Sequence, residues 1–245
     1  MDNMLAMVYS MLNRVRPANY WRRMGQGMDI CLAVDASDAS PHERLEARFV
    51  RCLVCQAGIV LAGSKPTAVF GFRMPPDDAA HPTSIRRLHV KTLIGTYAWH
   101  LLRFGVRASL LGWREGRAML LVWRPRCVRR LLSDAGAHEF LDKNHLPSRS
   151  GALMGELRRR LRAYYNDRTP FPHEIGFVLG YPIEDVDGFM SDGGQGARAC
   201  GRWKVYGDVD EALRRFKELE REELRIRRLY SEGTPLRGLL RMATA

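Results

Sequence analysis

Hydrophobic and polar residues follow two periods along this chain, and together these predict helices and strands in one fold. Apolar residues recur every three or four positions from Pro41 through Leu45 and Phe49, so the first helix is expected over about residues 41–63. Continuous apolar runs bounded by glycine or proline predict strands, and the first of these covers about residues 67–72. The order of the two patterns indicates helices packed around a small sheet.

The same two patterns continue to the C-terminus. Further helices are predicted over residues 85–104, 125–134, 137–144, 150–167 and 209–230. Further strands are predicted over residues 106–112, 117–123 and 201–206, and all four strands are expected in one mixed or antiparallel sheet. On the predicted helices, Leu88, residues 97–102, Leu213 and Leu224 are expected to face the core.

Residues 173–190 predict two short helices joined by a tight turn. Gly180 suits the end of the first helix, and Pro182 suits the start of the second. This spacing also fits a DNA-binding helix-turn-helix. The second helix, however, carries Glu184, Asp185 and Asp187, which would face phosphate groups with like charge. A packing role is therefore favoured, and specific DNA binding is disfavoured.

The length and composition fit a single α+β domain. The chain has 245 residues, of which 46% are hydrophobic, which is enough for a sizeable core. We expect a variable extension over residues 1–40, one domain over residues 41–232 and a C-terminal tail over residues 233–245. Residues 1–28 alternate apolar residues with arginine, so a frayed tail, a packed helix and attachment to a membrane surface all remain open.

The cysteine content and the lengths of the apolar runs indicate the cellular compartment of the protein. Five cysteines are an odd number without the spacing of a small secreted protein, and residues 1–20 lack a signal-peptide core and cleavage site. A cytoplasmic location with reduced thiols is therefore expected. No run approaches the roughly 18 apolar residues that a membrane-spanning helix needs. The formal net charge of +12 favours an anionic ligand or an acidic protein as partner.

Four residues suggest a catalytic site. Cys55, His173 and either Glu174 or Asp185 provide the thiol, imidazole and carboxylate of a hydrolase or transferase with a cysteine nucleophile. Adding Cys200 to Cys55, His173 and Glu174 gives an alternative metal site, because these residue types suit zinc or iron. In a third, purely structural alternative, His173 orients the start of a helix and Glu174 complements its dipole.

A second group of residues suggests binding without catalysis. Lys65 stands at the start of a predicted strand, where a lysine either binds an anion or is simply solvated. With Trp203, Lys204 and Tyr206 it would form a cationic and aromatic surface for a nucleotide, a nucleic acid or an acidic protein. The sequence identifies no cofactor.

Three segments resemble the signature blocks of a bacterial family, domain of unknown function 3793. They are LVCQAGIVLAGSKPTAVFGF from Leu53, PHEIGFVLGYPIEDVDGFM from Pro172 and ACGRWKVYGDVDEA from Ala199. The resemblance spans about residues 44–230 and implies a shared module rather than a particular reaction. It implies that the family pattern includes Cys55, Gly63, Lys65, Pro66, His173, Glu174, Gly176, Leu179, Gly180, Tyr181, Pro182, Asp185, Val186, Gly201, Trp203, Lys204 and Tyr206. Tyr181 thereby joins the candidate ligand-binding residues.

Overall fold

A computed structural model describes residues 40–74 and 82–243, so the expectations for residues 1–28 lie outside the described residues. In the described part the helices are α1 (Pro41–Leu61), α2 (Thr83–Leu102), α3 (Pro125–Leu131), α4 (Ala137–Lys143), α5 (Ser150–Tyr165), α6 (Ile175–Val178), α7 (Ile183–Asp192), α8 (Val209–Ser231) and α9 (Leu236–Arg241). The strands are β1 (Thr67–Arg73), β2 (Arg107–Arg114), β3 (Arg117–Trp123), β4 (Ala199–Cys200) and β5 (Lys204–Val205). The predicted α+β class is confirmed, as is a long helix near the C-terminus.

The main sheet has three antiparallel strands in the order β1–β3–β2. Trp123 in the central strand pairs with Thr67 on one side and with Arg107 on the other. The fourth predicted strand is not part of this sheet, which corrects the prediction of a single four-stranded sheet. Residues 199–205 instead form a separate short hairpin of β4 and β5, because Trp203 and Val205 pack against α8 rather than beside the main strands.

The sheet separates two hydrophobic cores. Successive side chains of a strand point to opposite faces. Phe70 and Leu120 therefore pack on the face covered by α1, α2, α8 and α9, whereas Val69 and Leu121 pack on the face covered by α3 to α7. The two layers place the residues of α1 and the residues around α6 and α7 on different sides of the sheet.

The Arg124 side chain joins three parts of the first core. It is 5% exposed, and its Nε donates to Val60 O at 2.8 Å while Nη1 donates to Phe104 O at 2.8 Å. Nη2 donates to Leu61 O and, at 3.3 Å, to Leu240 O. Since α1 has no basic residue in its last turn, Arg124 supplies the cation that the C-terminal carbonyls of that helix require.

Two turn glycines flank this arginine. Gly63 and Gly105 have φ angles of 85° and 68°, in the left-handed region that other residues rarely adopt. A Cβ atom built on Gly63 would lie 3.8 Å from Nε of Arg124, and one on Gly105 would lie 3.9 Å from Nη1. The turn that ends α1 and the turn that follows α2 therefore both lie next to the Arg124 guanidinium group.

Several apolar residues that were expected in the core lie on the surface. Leu88, Trp99 and Leu102 on α2 are exposed, as are Leu213 and Leu224 on α8. The prediction was wrong because these helices carry apolar residues on more than one face, and only one face of each meets a partner. On the C-terminal side, Leu239 and Leu240 of α9 are buried in the first core.

Within residues 40–74 and 82–243, every helix is too short or too polar to cross a lipid bilayer.

We predict that Arg124→Met destabilises the protein strongly. The substitution removes the Arg124 donors from the carbonyls of Leu61 and Phe104, and each such loss costs roughly 1–3 kcal/mol, so a total loss of about 3 kcal/mol or more is expected. Denaturant unfolding measures the change in the free energy of unfolding. Arg126→Met, at an exposed position of α3, is the matched control and should change stability by less than about 0.5 kcal/mol. Equal stability of the two variants would contradict the role given to Arg124.

Candidate functional site

The turn between α6 and α7 forms the base of the candidate site. Gly180 adopts a φ of 79°, and Tyr181 N donates to Gly176 O at 3.1 Å, which closes the turn after α6. The hydroxyl of Thr67 at the start of β1 donates to Val178 O at 2.8 Å and ties this turn to the main sheet. The predicted pair of short helices is confirmed, and its turn is a fixed part of the second core.

The carboxylate of Asp185 anchors the β4–β5 hairpin to α7. It is 3% exposed and accepts a hydrogen bond at 2.6 Å from Trp203 Nε1. It also accepts from the backbone N–H groups of Tyr206, at 2.6 Å, and Gly207, at 2.9 Å. Three donors satisfy this buried carboxylate, so its observed role is to position Trp203 and the strand that follows it.

Close backbone approaches fix the hairpin against the helices. A Cβ atom on Gly188 of α7 would lie 2.4 Å from the Tyr206 ring, and one on Gly201 would lie 1.9 Å from the Phe216 ring of α8. Only glycine fits at either position without a shift of a ring. The Tyr206 hydroxyl also donates to Asp192, so the ring is held at both ends.

Between these elements lies a largely apolar cavity of about 60 Å³, to which several aromatic rings contribute. Its lining consists of residues from the loop before α6, from α6 and α7 and from the hairpin: Phe171, His173, Ile175, Gly176, Leu179, Tyr181, Asp185, Val186, Phe189, Trp203 and Lys204. The rings of Tyr181 and Trp203 stack with centroids 4.8 Å apart. We name this space the aromatic cavity.

His173 is one wall of the aromatic cavity. Its ring lies 5.2 Å from that of Phe171 and 5.0 Å from that of Phe189, measured between centroids. Burial lowers the pKa of His173, and the negative charge of Glu174 opposes that shift in part. The imidazole is therefore neutral at pH 7, with one nitrogen that donates and one that accepts.

The Glu174 side chain pairs with Arg160 rather than with His173. Its carboxylate lies 2.5 Å from Nη1 of Arg160 on α5, and the same guanidinium binds Glu156 at 2.8 Å. Glu174 forms no side-chain cap on α6. The pair with Arg160 therefore holds the segment around His173 against α5.

Lys65 lies at the other side of the Tyr181 ring. Its ammonium group is 5.7 Å above the ring centroid. Burial lowers the pKa of Lys65 to about 8; Glu223 acts against this shift, and Arg202 and Arg215 add to it. Arg202 is bound to Glu223 at 2.8 Å, so this glutamate is shared between Lys65 and Arg202.

Eight of the nine site residues predicted from sequence lie in or beside this region, and Cys55 does not. Cys55 is on α1, in the layer across the main sheet, and its carbonyl accepts a hydrogen bond from Arg227 of α8 at 3.0 Å. Trp203, in the candidate site, packs instead against Phe216 of α8. Phe216 precedes Arg227 by eleven residues, so the two contacts lie about 16 Å apart along this helix. The structure does not bring the thiol into the aromatic cavity, so catalysis by Cys55 and His173 stays a prediction.

The alternative metal site is not assembled. Within residues 40–74 and 82–243, no three side chains of His, Cys, Asp or Glu are grouped so that they would hold a metal ion. The proposed set of His173, Glu174, Cys55 and Cys200 fails because its members belong to α1, to the loop before α6 and to the exposed strand β4.

The family model described as Protein of unknown function (DUF3793) matches residues 53–240. The chain belongs to this family. The match contains all nine of the site residues predicted from sequence, which agrees with the expected resemblance. Neither the curated proteins nor the solved structures contain a match to the chain.

Sequence reasoning missed some residues of this DUF3793 site. Phe171 and Phe189 are not among the site residues predicted from sequence, although both rings contact His173. Arg160 was one of several arginines on a helix, and only the fold pairs it with Glu174. Arg202 adjoins Trp203 in the third sequence block, and this adjacency was the one available signal.

We predict that Gly188→Ala destabilises the protein by about 1–3 kcal/mol, because the added methyl group would displace the Tyr206 ring. Gly151→Ala is the matched control, since Gly151 is also helical but has no atom within 4 Å of its Cβ position. The control should leave stability unchanged or raise it by up to about 1 kcal/mol. Chemical denaturation compares the two, and a Gly188→Ala protein as stable as the control would refute the close approach.

We also predict that His173 makes stability depend on pH. Its folded pKa lies below the ordinary value of 6.5, so on acidification the unfolded chain binds this proton first. The stabilising contribution is present above pH 6.5 and is lost as the pH falls from 6.5 through the folded pKa. His173→Gln should therefore lose less stability than the wild type over this range. A proton NMR titration, with the His173 signal assigned by its absence in the variant, should give a midpoint below 6.5; a higher midpoint would contradict burial of the imidazole.

Proposed function

We propose that this protein binds a small ligand that combines one flat ring with an anionic group, for which pyrimidine mononucleotides are representative. The supporting observation is the aromatic cavity, in which Lys204 joins four aromatic side chains and a neutral imidazole. Concave, largely apolar spaces with a few polar groups are the usual form of small-ligand sites. The proposed function is ligand binding, and it includes no chemical reaction on the ligand.

The ring of the ligand would occupy the aromatic cavity. A volume of about 60 Å³ corresponds to about four water molecules or a single ring on the scale on which one water needs ~15 Å³. Stacking on aromatic side chains such as Phe171 and Phe189 contributes roughly 1–3 kcal/mol per base in nucleic-acid complexes. The donor and acceptor nitrogens of His173 suit the polar edge of a heterocycle.

Lys204 would bind the anionic group of the ligand. Asp185 also lines the cavity, but its oxygens already accept three hydrogen bonds, which spread its charge over the hairpin. Lys65 and Arg202 add positive potential on the far side of Tyr181. The formal net charge of +12 attracts anions toward the protein as a whole.

Specific DNA binding is not part of this proposal. The acidic residues of α7 are engaged within the protein: Asp185 holds the hairpin, and Asp187 pairs with Lys143 at 3.0 Å. The side chain of Glu184 fills the space beside Gly207. A helix with this charge and these contacts has few groups to offer a DNA groove.

A cytoplasmic location belongs to the proposal as well. Cys52, Cys127 and Cys200 form no disulfide in the described part of the chain. Burial raises the pKa of Cys52 to about 12, so this thiol stays protonated and unreactive at neutral pH. Reduced thiols of this kind are usual in a reducing compartment.

We expect uridine or cytidine monophosphate to bind the full-length protein, and Lys204→Ala to weaken that binding about tenfold through loss of one charge-assisted contact. Isothermal titration calorimetry at pH 7 measures the affinity. The matched control is Lys217→Ala, the same loss of charge at an exposed position of α8, which should bind as the wild type does.

Uridine and inorganic phosphate, titrated separately, should each bind more weakly than the mononucleotide, because each offers only one of the two features. Adenosine monophosphate should also bind more weakly, since its double ring exceeds the cavity. The proposal fails if no mononucleotide binds at millimolar concentration, or if Lys204→Ala and Lys217→Ala bind the ligand equally well.

A further inference from the structure

The outer face of α2 carries an apolar stripe that the core does not use. The stripe follows a spacing of three and four residues along the helix and consists of Ile85, Leu88, Thr92, Gly95, Trp99 and Leu102. Leu88 is 59% exposed and Trp99 is 65% exposed. A Cβ atom on Gly95 would meet no atom within 4 Å, so the middle of the stripe is also uncovered.

This stripe is separate from the buried face of the same helix. Val90, Leu93, Ile94 and Leu101 are buried and pack in the first core with α1 and the main sheet. At 100° per residue the stripe lies on the opposite side of the helix from these four residues. Packing among residues 40–74 and 82–243 therefore does not account for the exposed apolar side chains, and clustered apolar surface of this kind marks an interaction site.

The charged residues of α2 itself are all basic. The helix contains no aspartate or glutamate over Thr83–Leu102. Exposed Arg87 and Lys91 lie on one flank of the stripe, and exposed Arg103 lies at its other edge, by the same angular spacing. An apolar stripe with an exposed tryptophan and basic flanks is the pattern of a helix that lies in the interface of a lipid bilayer.

We propose that α2 docks on the surface of a bilayer rich in anionic lipids. The stripe extends over seventeen residue steps, or about 25 Å, so it would lie parallel to the bilayer with its apolar side chains among the lipid headgroups and upper acyl chains. The basic flanks would contact lipid phosphates, and the cytoplasmic leaflet carries the negative surface potential that attracts them. This inference is independent of the ligand proposed for the aromatic cavity, because α2 does not line it.

Charge argues against two other occupants. A second copy of α2 would bring two helices without acidic residues together, so their basic flanks would repel each other. Residues 3–28 are also an unsuitable partner, because they carry four arginines and no acidic residue. An anionic surface is the partner whose charge complements this face.

The test uses full-length protein and sedimentation with vesicles. Vesicles of phosphatidylcholine with 30% phosphatidylglycerol, on the order of the anionic content of natural membranes, are compared with phosphatidylcholine alone. We expect binding to the anionic vesicles, little binding to the neutral ones, and a decrease in binding of about tenfold or more for the double variant Leu88→Glu and Trp99→Glu. The control is Leu213→Glu with Leu224→Glu, two similarly exposed leucines on α8, and it should bind as the wild type does.

Circular dichroism and thermal denaturation must show that both double variants are folded, and if the α2 variant is unfolded, Lys91→Glu with Arg103→Glu replaces it. Absence of binding to anionic vesicles at low salt would overturn the proposal, as would full binding by a folded α2 variant. Analytical ultracentrifugation provides a second check. A wild-type dimer that becomes monomeric only in the α2 variant would assign the stripe to a second copy and reject the lipid surface.

Discussion

The buried guanidinium group of Arg124 is the interaction on which the two-layered structure depends. A cation in a nonpolar core is costly unless its donors are satisfied, and here the acceptors are backbone carbonyls at the ends of α1, α2 and α9 rather than a carboxylate. The carbonyls at a helix C-terminus carry partial negative charge and can accept further hydrogen bonds, so they stabilise the buried cation while its N–H groups satisfy them. Because Arg124 directly follows β3, this contact fixes the helices of the first layer to the central strand of the sheet.

On the opposite face of the sheet, a buried carboxylate has the corresponding role. Asp185 binds Trp203 and the backbone of the strand after it, and these contacts set the position of the hairpin that closes the aromatic cavity. The pair of short helices thus resembles a DNA-reading motif in spacing but serves as a support for a hairpin. The acidic residues of this helix pair bind donors within the protein, such as the Trp203 indole and Lys143. These contacts account for the acidic residues without a role in DNA recognition.

Hydrophobic periodicity predicted most of the secondary structure correctly, because the first core needs one face of α1 and the alternate residues of β1 and β3 to be apolar. It failed where a helix is apolar on two faces, as in α2, since the pattern cannot show which face meets a neighbour. It also failed for Trp203 and Val205, whose apolar run was assigned to the main sheet although it pairs only within a short hairpin. Of the candidate site, residue types and local segments were predictable, whereas the partners of Glu174 and Asp185 were not.

The sequence alone determined that the chain forms an α+β fold and that residues 173–190 form a helix pair. These features depend on local spacing and on the preferences of glycine and proline, which the order of residues records directly. Only the tertiary structure decided that His173 lies among aromatic rings, that Cys55 lies across the sheet from it, and that Arg160 and Glu174 are partners. The physical reason is that these contacts join residues far apart in the chain, and their positions follow from how the layers pack rather than from any local pattern.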